Sequence, residues 1–258
     1  QDYDFTLTAI LGGLLFGFGA TVNGGCALHT LSRLGSGDFG MALTIFGLTS
    51  GAILTKLMII KYTFLAAIPS TSDTIFPEQL QLPMAIVLLV ILIFELIKYL
   101  SRINIYQWRK RLLSETYDLR SAAAILGISN GILFAVIGPW MYSNTIIQSI
   151  TNQLFSESIF YQEISALRWL LLLALLSGII VSSLIKQQFR LLIKPRKKWL
   201  AYLTGGMLMG AGATLIPGGN DTLLLNDMPG LSPHAFLAYF SMLFAIAIFL
   251  FLAKAART

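Results

Sequence analysis

The sequence predicts an all-α integral membrane protein of about seven transmembrane helices, two of them short re-entrant or broken helices related by an inverted repeat. Three observations predict it: an apolar composition, a succession of apolar segments of spanning length, and two matching glycine-rich segments. Hydrophobic residues make up 56% of the 258 and charged residues 12%, and the mean hydropathy is +0.75. A soluble domain carries about 25% charged residues, so this chain has too little charge to clothe a water-facing surface. No polar stretch is long enough for a separate soluble domain. Residues 1–258 therefore read as one membrane domain, with its signature segments at 12–37 and 205–230.

A helix of about 20 apolar residues crosses the hydrocarbon core of a bilayer. Candidate spans are Phe5–Val22, Phe39–Ile60, Leu82–Leu100, Ser121–Met141, Trp169–Ile185, Trp199–Ile216 and Ala235–Ala253. The first and sixth are short and rich in glycine. The start Gln1-Asp2-Tyr3-Asp4 is acidic, unlike the basic start of a signal peptide.

The net charge of +6 is informative only through its placement. Of the 18 Lys and Arg, six lie between Lys98 and Arg120 and six between Lys186 and Lys198. Basic runs flanked by membrane spans are cytoplasmic loops under the positive-inside rule, which excludes nucleic acid as the partner. Loop 61–81 sets Lys61 against Asp73 and Glu78, and loop 142–168 sets Glu157 and Glu163 against Arg168; these are placed outside. The seven spans then alternate with the amino terminus outside and the carboxyl terminus, with Lys254 and Arg257, inside. The expected location is the inner (plasma) membrane of the cell.

Residues 12–26 and 205–219 align at a constant offset of 193, Gly12 onto Gly205, with eight of fifteen positions identical. The identical columns are those of Gly12, Gly13, Leu15, Gly17, Gly19, Ala20, Thr21 and Gly25. Glycine and alanine are common where membrane helices pack closely, but enrichment alone does not produce such a match in one register. In the topology above the two copies run in opposite directions. Paired, Gly- or Pro-interrupted segments of inverted orientation are a sequence pointer to a transport site. Irregular backbone at membrane depth persists only where protein or a water-filled path satisfies its polar groups.

After the first copy the chain reads Asn23-Gly24-Gly25-Cys26, and a half-helix starting near Cys26 sets Cys26, His29, Thr30 and Arg33 on one polar face. Free amides at such a start, where the helix dipole is positive, favour a small anion. The second break offers Pro217, Gly218, Gly219, Asn220, Asp221, Thr222 and Asn226 from the opposite side. Cys26 is the only cysteine, so no internal disulfide forms. It reads either as a small packing residue or as a functional thiol, and its place at a helix start favours the thiol. His29 reads equally as a packing histidine, and Arg33 as a positive-inside anchor. One Cys and one His make no metal site, and no cofactor is expected. Glu95 and Lys98 read as an interfacial ion pair, Asn130 and Pro139-Trp140 as path-facing or packing residues, and His234 as interfacial.

Gly17-Phe18-Gly19-Ala20 followed by Gly24-Gly25-Cys26 and Arg33-Leu34-Gly35-Ser36-Gly37 resembles the YeeE/YedE family of membrane proteins that move sulfur compounds, thiosulfate in particular. Residues 205–213 are similar to that family's second signature, and the stretch from Gly131 to Tyr142 to its middle region. The resemblance implies an inverted-repeat bundle with short re-entrant helices and a narrow central path. It also implies that cysteines meet the sulfur anion through S–H hydrogen bonds, with Cys26 matching one of them. The chain departs from the pattern in two places. The second-signature cysteine is Gly219 here, with Asn220 retained, and a family segment carrying another cysteine has no counterpart in these residues.

The expected function is transport rather than catalysis: a passive or ion-coupled permease for a small sulfur-containing anion. Asn23, Gly24, Gly25, Cys26, His29 and Arg33 would contact it from one side and Gly218, Gly219 and Asn220 from the other. No phosphate-binding P-loop motif is present, which disfavours direct ATP drive. The alternatives are a membrane-embedded sulfurtransferase with a persulfide on Cys26, or a non-transporting subunit of a larger complex. Expected partners are the sulfur anion, the lipid bilayer and a soluble cytoplasmic sulfur carrier.

Overall fold

The computed structural model describes residues 7–61, 90, 93–94, 97, 119–138, 140–154, 165–192, 198–216, 218–230 and 232–255. Among these the regular elements are helices, with one isolated bridge between Asp38 and Leu192. In chain order they are α1 (Leu7–Asn23), α2 (Ala27–Gly35), α3 (Met41–Lys61), α4 (Leu119–Ile137) and α5 (Tyr142–Leu154). Then follow α6 (Ala166–Ile185), α7 (Trp199–Leu215), α8 (Asn220–Thr222, continued by a π-helical turn Leu223–Asp227) and α9 (Pro233–Ala255).

Four helical runs are long and apolar enough to cross a membrane: Leu7–Gly35, which joins α1 and α2, Met41–Ile59, Ala166–Ile185 and His234–Ala255. Two bent pairs raise the number to six if each is one span: Ile125–Ile137 with Tyr142–Gln153 at 41°, and Trp199–Leu215 with Asn220–Asp227 at 47°. The surfaces of α6 and α9 carry exposed Leu170, Leu173, Phe244 and Phe251, an arrangement that lipid tails tolerate and water does not. The expected span Leu82–Leu100 lies outside the described residues except for Val90, Ile93, Phe94 and Ile97, which are helical and exposed. Glu95, Lys98 and the basic run up to Asp118 also lie outside them. One expectation is corrected: residues 142–154, read as part of a loop, form α5. Its sequence, YSNTIIQSITNQL, is too polar for a lipid-facing span but suits a helix enclosed by other helices.

The core is a row of contacts running α9–α1–α7–α3. Between lipid-soluble helices there is little hydrophobic drive, so association rests on close packing, and small residues permit it. α1 and α7 run antiparallel. A Cβ at Gly12 would stand 3.0 Å from the Gly212 oxygen, and one at Gly19 would stand 2.6 Å from the Gly205 oxygen. α1 runs parallel to α9, with Gly13 against the Ala238 carbonyl and Gly17 against that of Met242. α7 runs parallel to α3, with Gly206 against the Thr44 carbonyl and Gly210 against that of Leu48. α2 packs on α3 and α6, and α5 on the same two helices.

Candidate functional site

The first break begins where α1 stops. Gly24 turns left-handed (φ 81°), a conformation that disfavours any side chain. The Gly25 amide closes back on the Ala20 carbonyl at 2.8 Å, and Cys26 follows in extended conformation as the residue capping α2. The next helical bond runs from the Thr30 amide to the Cys26 carbonyl, 3.0 Å. The amides of Ala27, Leu28 and His29 therefore precede the helical ladder and face the break.

Buried Asn23 braces this geometry. Its Nδ2 donates to the Gly25 carbonyl (2.9 Å) and to Thr30 Oγ1 (2.8 Å), and its Oδ1 accepts from Thr44 Oγ1 (2.7 Å). Thr30 in turn donates to the Cys26 carbonyl, 3.1 Å. Asn23 thus fixes the Gly25–Cys26 backbone from behind, and Cys26, half-buried against the core, sits at the end of a braced turn. His29 is exposed, with its ring lying against Gly25. Arg33 turns away to the far end of α2. Its Nη2 pairs with Asp38 at 2.6 Å and bonds the Tyr202 hydroxyl at 3.2 Å, and its guanidinium lies 5.5 Å from the Tyr202 ring centroid. The polar face expected of α2 is thereby divided: Thr30 points into the brace, His29 to the surface and Arg33 to α7.

The second break follows the same course. The Gly218 amide closes on the Ala213 carbonyl at 2.7 Å, and the Leu223 amide bonds the Gly219 carbonyl at 3.1 Å. Gly218 has φ 151° and Gly219 is extended at the cap of α8. Pro217 lies outside the described residues. A Cβ at Gly219 would stand 3.6 Å from the edge of Phe16 and from Ser143 Oγ, so this break folds in against α1 and α5. Asn130 on α4 donates to the Leu225 carbonyl at 2.9 Å, which anchors the π-helical turn. His234, at the start of α9, is buried: its Nδ1 lies 3.0 Å from Ser232 Oγ and its Nε2 3.5 Å from Asp227.

The two breaks converge on the start of α5. Ser143 Oγ donates to the Asp221 carboxylate, 2.9 and 3.2 Å from its two oxygens. A small cavity of about 20 Å³ is lined by Ala27 and Thr30 of α2, Thr44 of α3 and Tyr142, Ser143 and Ile146 of α5. That is room for about one water molecule. The hydroxyls of Tyr142 and Thr222 and the Asn220 Oδ1 are buried without a hydrogen-bond partner among the described residues.

Sequence reasoning thus named the residues of both breaks and missed what joins them. Tyr142 and Ser143 were lost with α5; the signal available was the amphipathic spacing of Tyr142, Ile146 and Ile150. Lys56 was missed as well. It is buried within α3, and its Nζ lies 3.3 Å from Thr151 Oγ1 on α5. The charge pattern is informative in the loops, whereas Lys56 sits inside a span.

Apolar-surfaced helices of spanning length around a buried polar junction of broken helices mark a multi-pass membrane protein. A family model described as sulphur transport matches residues 3–248, and the chain belongs to that family. The match agrees with the resemblance carried by the two glycine signatures. No curated protein matches the chain.

Proposed function

We propose that this protein is a permease for a small sulfur-containing anion such as thiosulfate, passed between the two breaks past Cys26 and the start of α5. The observation that carries the reading is the equivalence of the breaks. Exchanging each residue for its counterpart 193 positions away turns the contact of Gly12 with Gly212 into that of Gly205 with Gly19. The same exchange turns the Gly25–Ala20 bond into the Gly218–Ala213 bond, and the capping residue Cys26 into the capping residue Gly219. This supports an inverted repeat about an axis between α1 and α7. The helix directions agree with alternating spans, since α9 runs with α1, α3 runs with α7, and α1 opposes α7; the amino terminus outside, in an inner membrane of seven spans, is proposed from the basic loops.

An anion entering so narrow a place sheds water, and buried charge is costly unless hydrogen bonds replace hydration. The amides before the α2 ladder, the Cys26 S–H and the Asn220 side-chain amide supply donors for this. Gly24, Gly25, Gly218 and Gly219 keep the backbone bare of side chains, so the anion reaches those amides. His29 and Arg33 take the entrance at the α2 side rather than the narrow part.

The test is uptake of labelled thiosulfate by the full chain in liposomes. Cys26→Ser is expected to slow uptake at least tenfold, and Gly25→Val to abolish it by placing a side chain in the break. Wild-type rates in both variants would remove these residues from the path. If the protein instead carries a persulfide, mass spectrometry after exposure to thiosulfate would find an added sulfur atom on Cys26, and the permease reading would yield to a sulfurtransferase.

A further inference from the structure

The two breaks match in backbone and differ in charge. At the offset of 193, Cys26 pairs with Gly219 and Leu28 with Asp221, so the second break carries an acid where the first has none. Both capping residues are extended. A Cβ at Gly219 would stand 2.6 Å from Asp221 Oδ1 and 3.6 Å from both Ser143 Oγ and the edge of Phe16. A carboxylate oxygen thus lies over Gly219 on the side where Cys26 carries its thiol. This is also the bare side that the permease reading gives to the anion.

Ser143 of α5 donates to both carboxylate oxygens, at 2.9 and 3.2 Å, and among the described residues no Lys, Arg or His forms an ion pair with Asp221. Asp221 is half-buried, which leaves a proton a route to it. Carboxylates within membrane helices are rare, and they mark ion routes and proton relays. The other titratable groups at the junction are Tyr142 beside Ser143 on α5, Cys26 on α2, and Asp227 of the same turn, which faces His234 of α9 at 3.5 Å. Arg33, the cation of α2, is turned away to Asp38. From α1 comes Phe16 and from α4 Asn130, and neither titrates.

A sulfur anion beside Gly219 and an ionised Asp221 repel each other. Protonation ends the repulsion and gives the carboxyl group a proton to donate. By reciprocity, the anion then draws a proton onto Asp221 as strongly as the proton favours the anion. We propose that Asp221 is the proton site of a proton-coupled symporter: its carboxylate takes one proton from water as the sulfur anion enters the second break and returns it to water as the anion leaves. The proposal rests on the permease reading and names the coupling ion. It also accounts for glycine at position 219, where any side chain would displace the carboxylate.

The full chain in liposomes, with a pH-sensitive dye inside and the membrane potential clamped, reports labelled thiosulfate and protons together. Wild type should acidify the interior as it takes up thiosulfate, and uptake should rise about fivefold as the external pH falls from about 8 to about 6. Asp221→Asn keeps the shape and the neutral state, so its uptake should no longer depend on pH and should acidify nothing. Ser143→Ala removes a donor that favours the charged carboxylate, so the pH midpoint of its uptake should lie about half a unit above that of wild type. Wild-type uptake without acidification overturns the proposal. So does an Asp221→Asn chain that still acidifies, or one that folds and takes up no thiosulfate. Should Asp221→Asn not fold, the Ser143→Ala midpoint decides, and an unchanged one overturns the proposal. The permease reading fails separately, if the wild-type chain takes up no thiosulfate at any pH.

Discussion

Gly25 and Gly218 occupy matching places in the two breaks and respond differently to a methyl group. At Gly25 a Cβ would crowd His29, standing 2.9 Å from its Cβ, but in a backbone conformation open to any residue. At Gly218 it would meet the Thr222 side chain, 2.5 Å from its Cβ, in a backbone conformation (φ 151°) reserved for glycine. Gly218→Ala, which adds backbone strain to a clash, is therefore expected to lose about 1–3 kcal/mol more than Gly25→Ala; thermal unfolding in detergent compares them. Asn23→Leu is the corresponding test of the brace. It strips partners from the Gly25 carbonyl and two buried threonine hydroxyls, and should cost about 2–4 kcal/mol. An unchanged unfolding temperature would show the brace to be dispensable. The importance of Asn23 was legible in the sequence only as a candidate contact for substrate. Its actual partners, Thr30 and Thr44, lie on two other helices, and no local pattern announces them.

Among the elements, α1 and α7 were readable because small residues in a repeating register have few other uses in a membrane helix. α5 was not, because hydropathy measures fitness for lipid and α5 does not face lipid. Its Thr151 is fully buried and bonds Lys56, which places a cation inside the bundle where membrane proteins keep functional or paired charges. Thr151→Val keeps the shape and removes that bond, and is expected to lower stability by about 1–2 kcal/mol. No loss on thermal unfolding would mean that the bond contributes nothing. Arg33 shows the same limit from the other direction. Its basic character suggested either an anchor or a ligand, whereas a partner 169 positions away, Tyr202, decides where it points.

At the scale of the molecule, membership in the sulphur transport family and the helical, lipid-suited exterior agree with what composition had implied. Orientation is open to a direct check, because Cys26 is the only cysteine. In a Cys26→Ser background, Ser36→Cys and Gly230→Cys should react with a membrane-impermeant thiol reagent from opposite faces of the membrane, Gly230→Cys from outside. Labelling of both from one face would refute the inverted arrangement.

The row α9–α1–α7–α3 also bears on how such a protein could move. Where carbonyl meets glycine along three successive interfaces, backbones stand too close to slide past one another without collision. The row is a keel. Rocking one half against the other, a common route to alternating access, would have to break it. Motion then falls to the parts that hang from the keel: α2, α8 with its π-helical turn, and α5. The cargo of this protein would be passed by small local openings around a fixed spine, and its speed would depend on the looseness of three short segments rather than on the swing of a bundle.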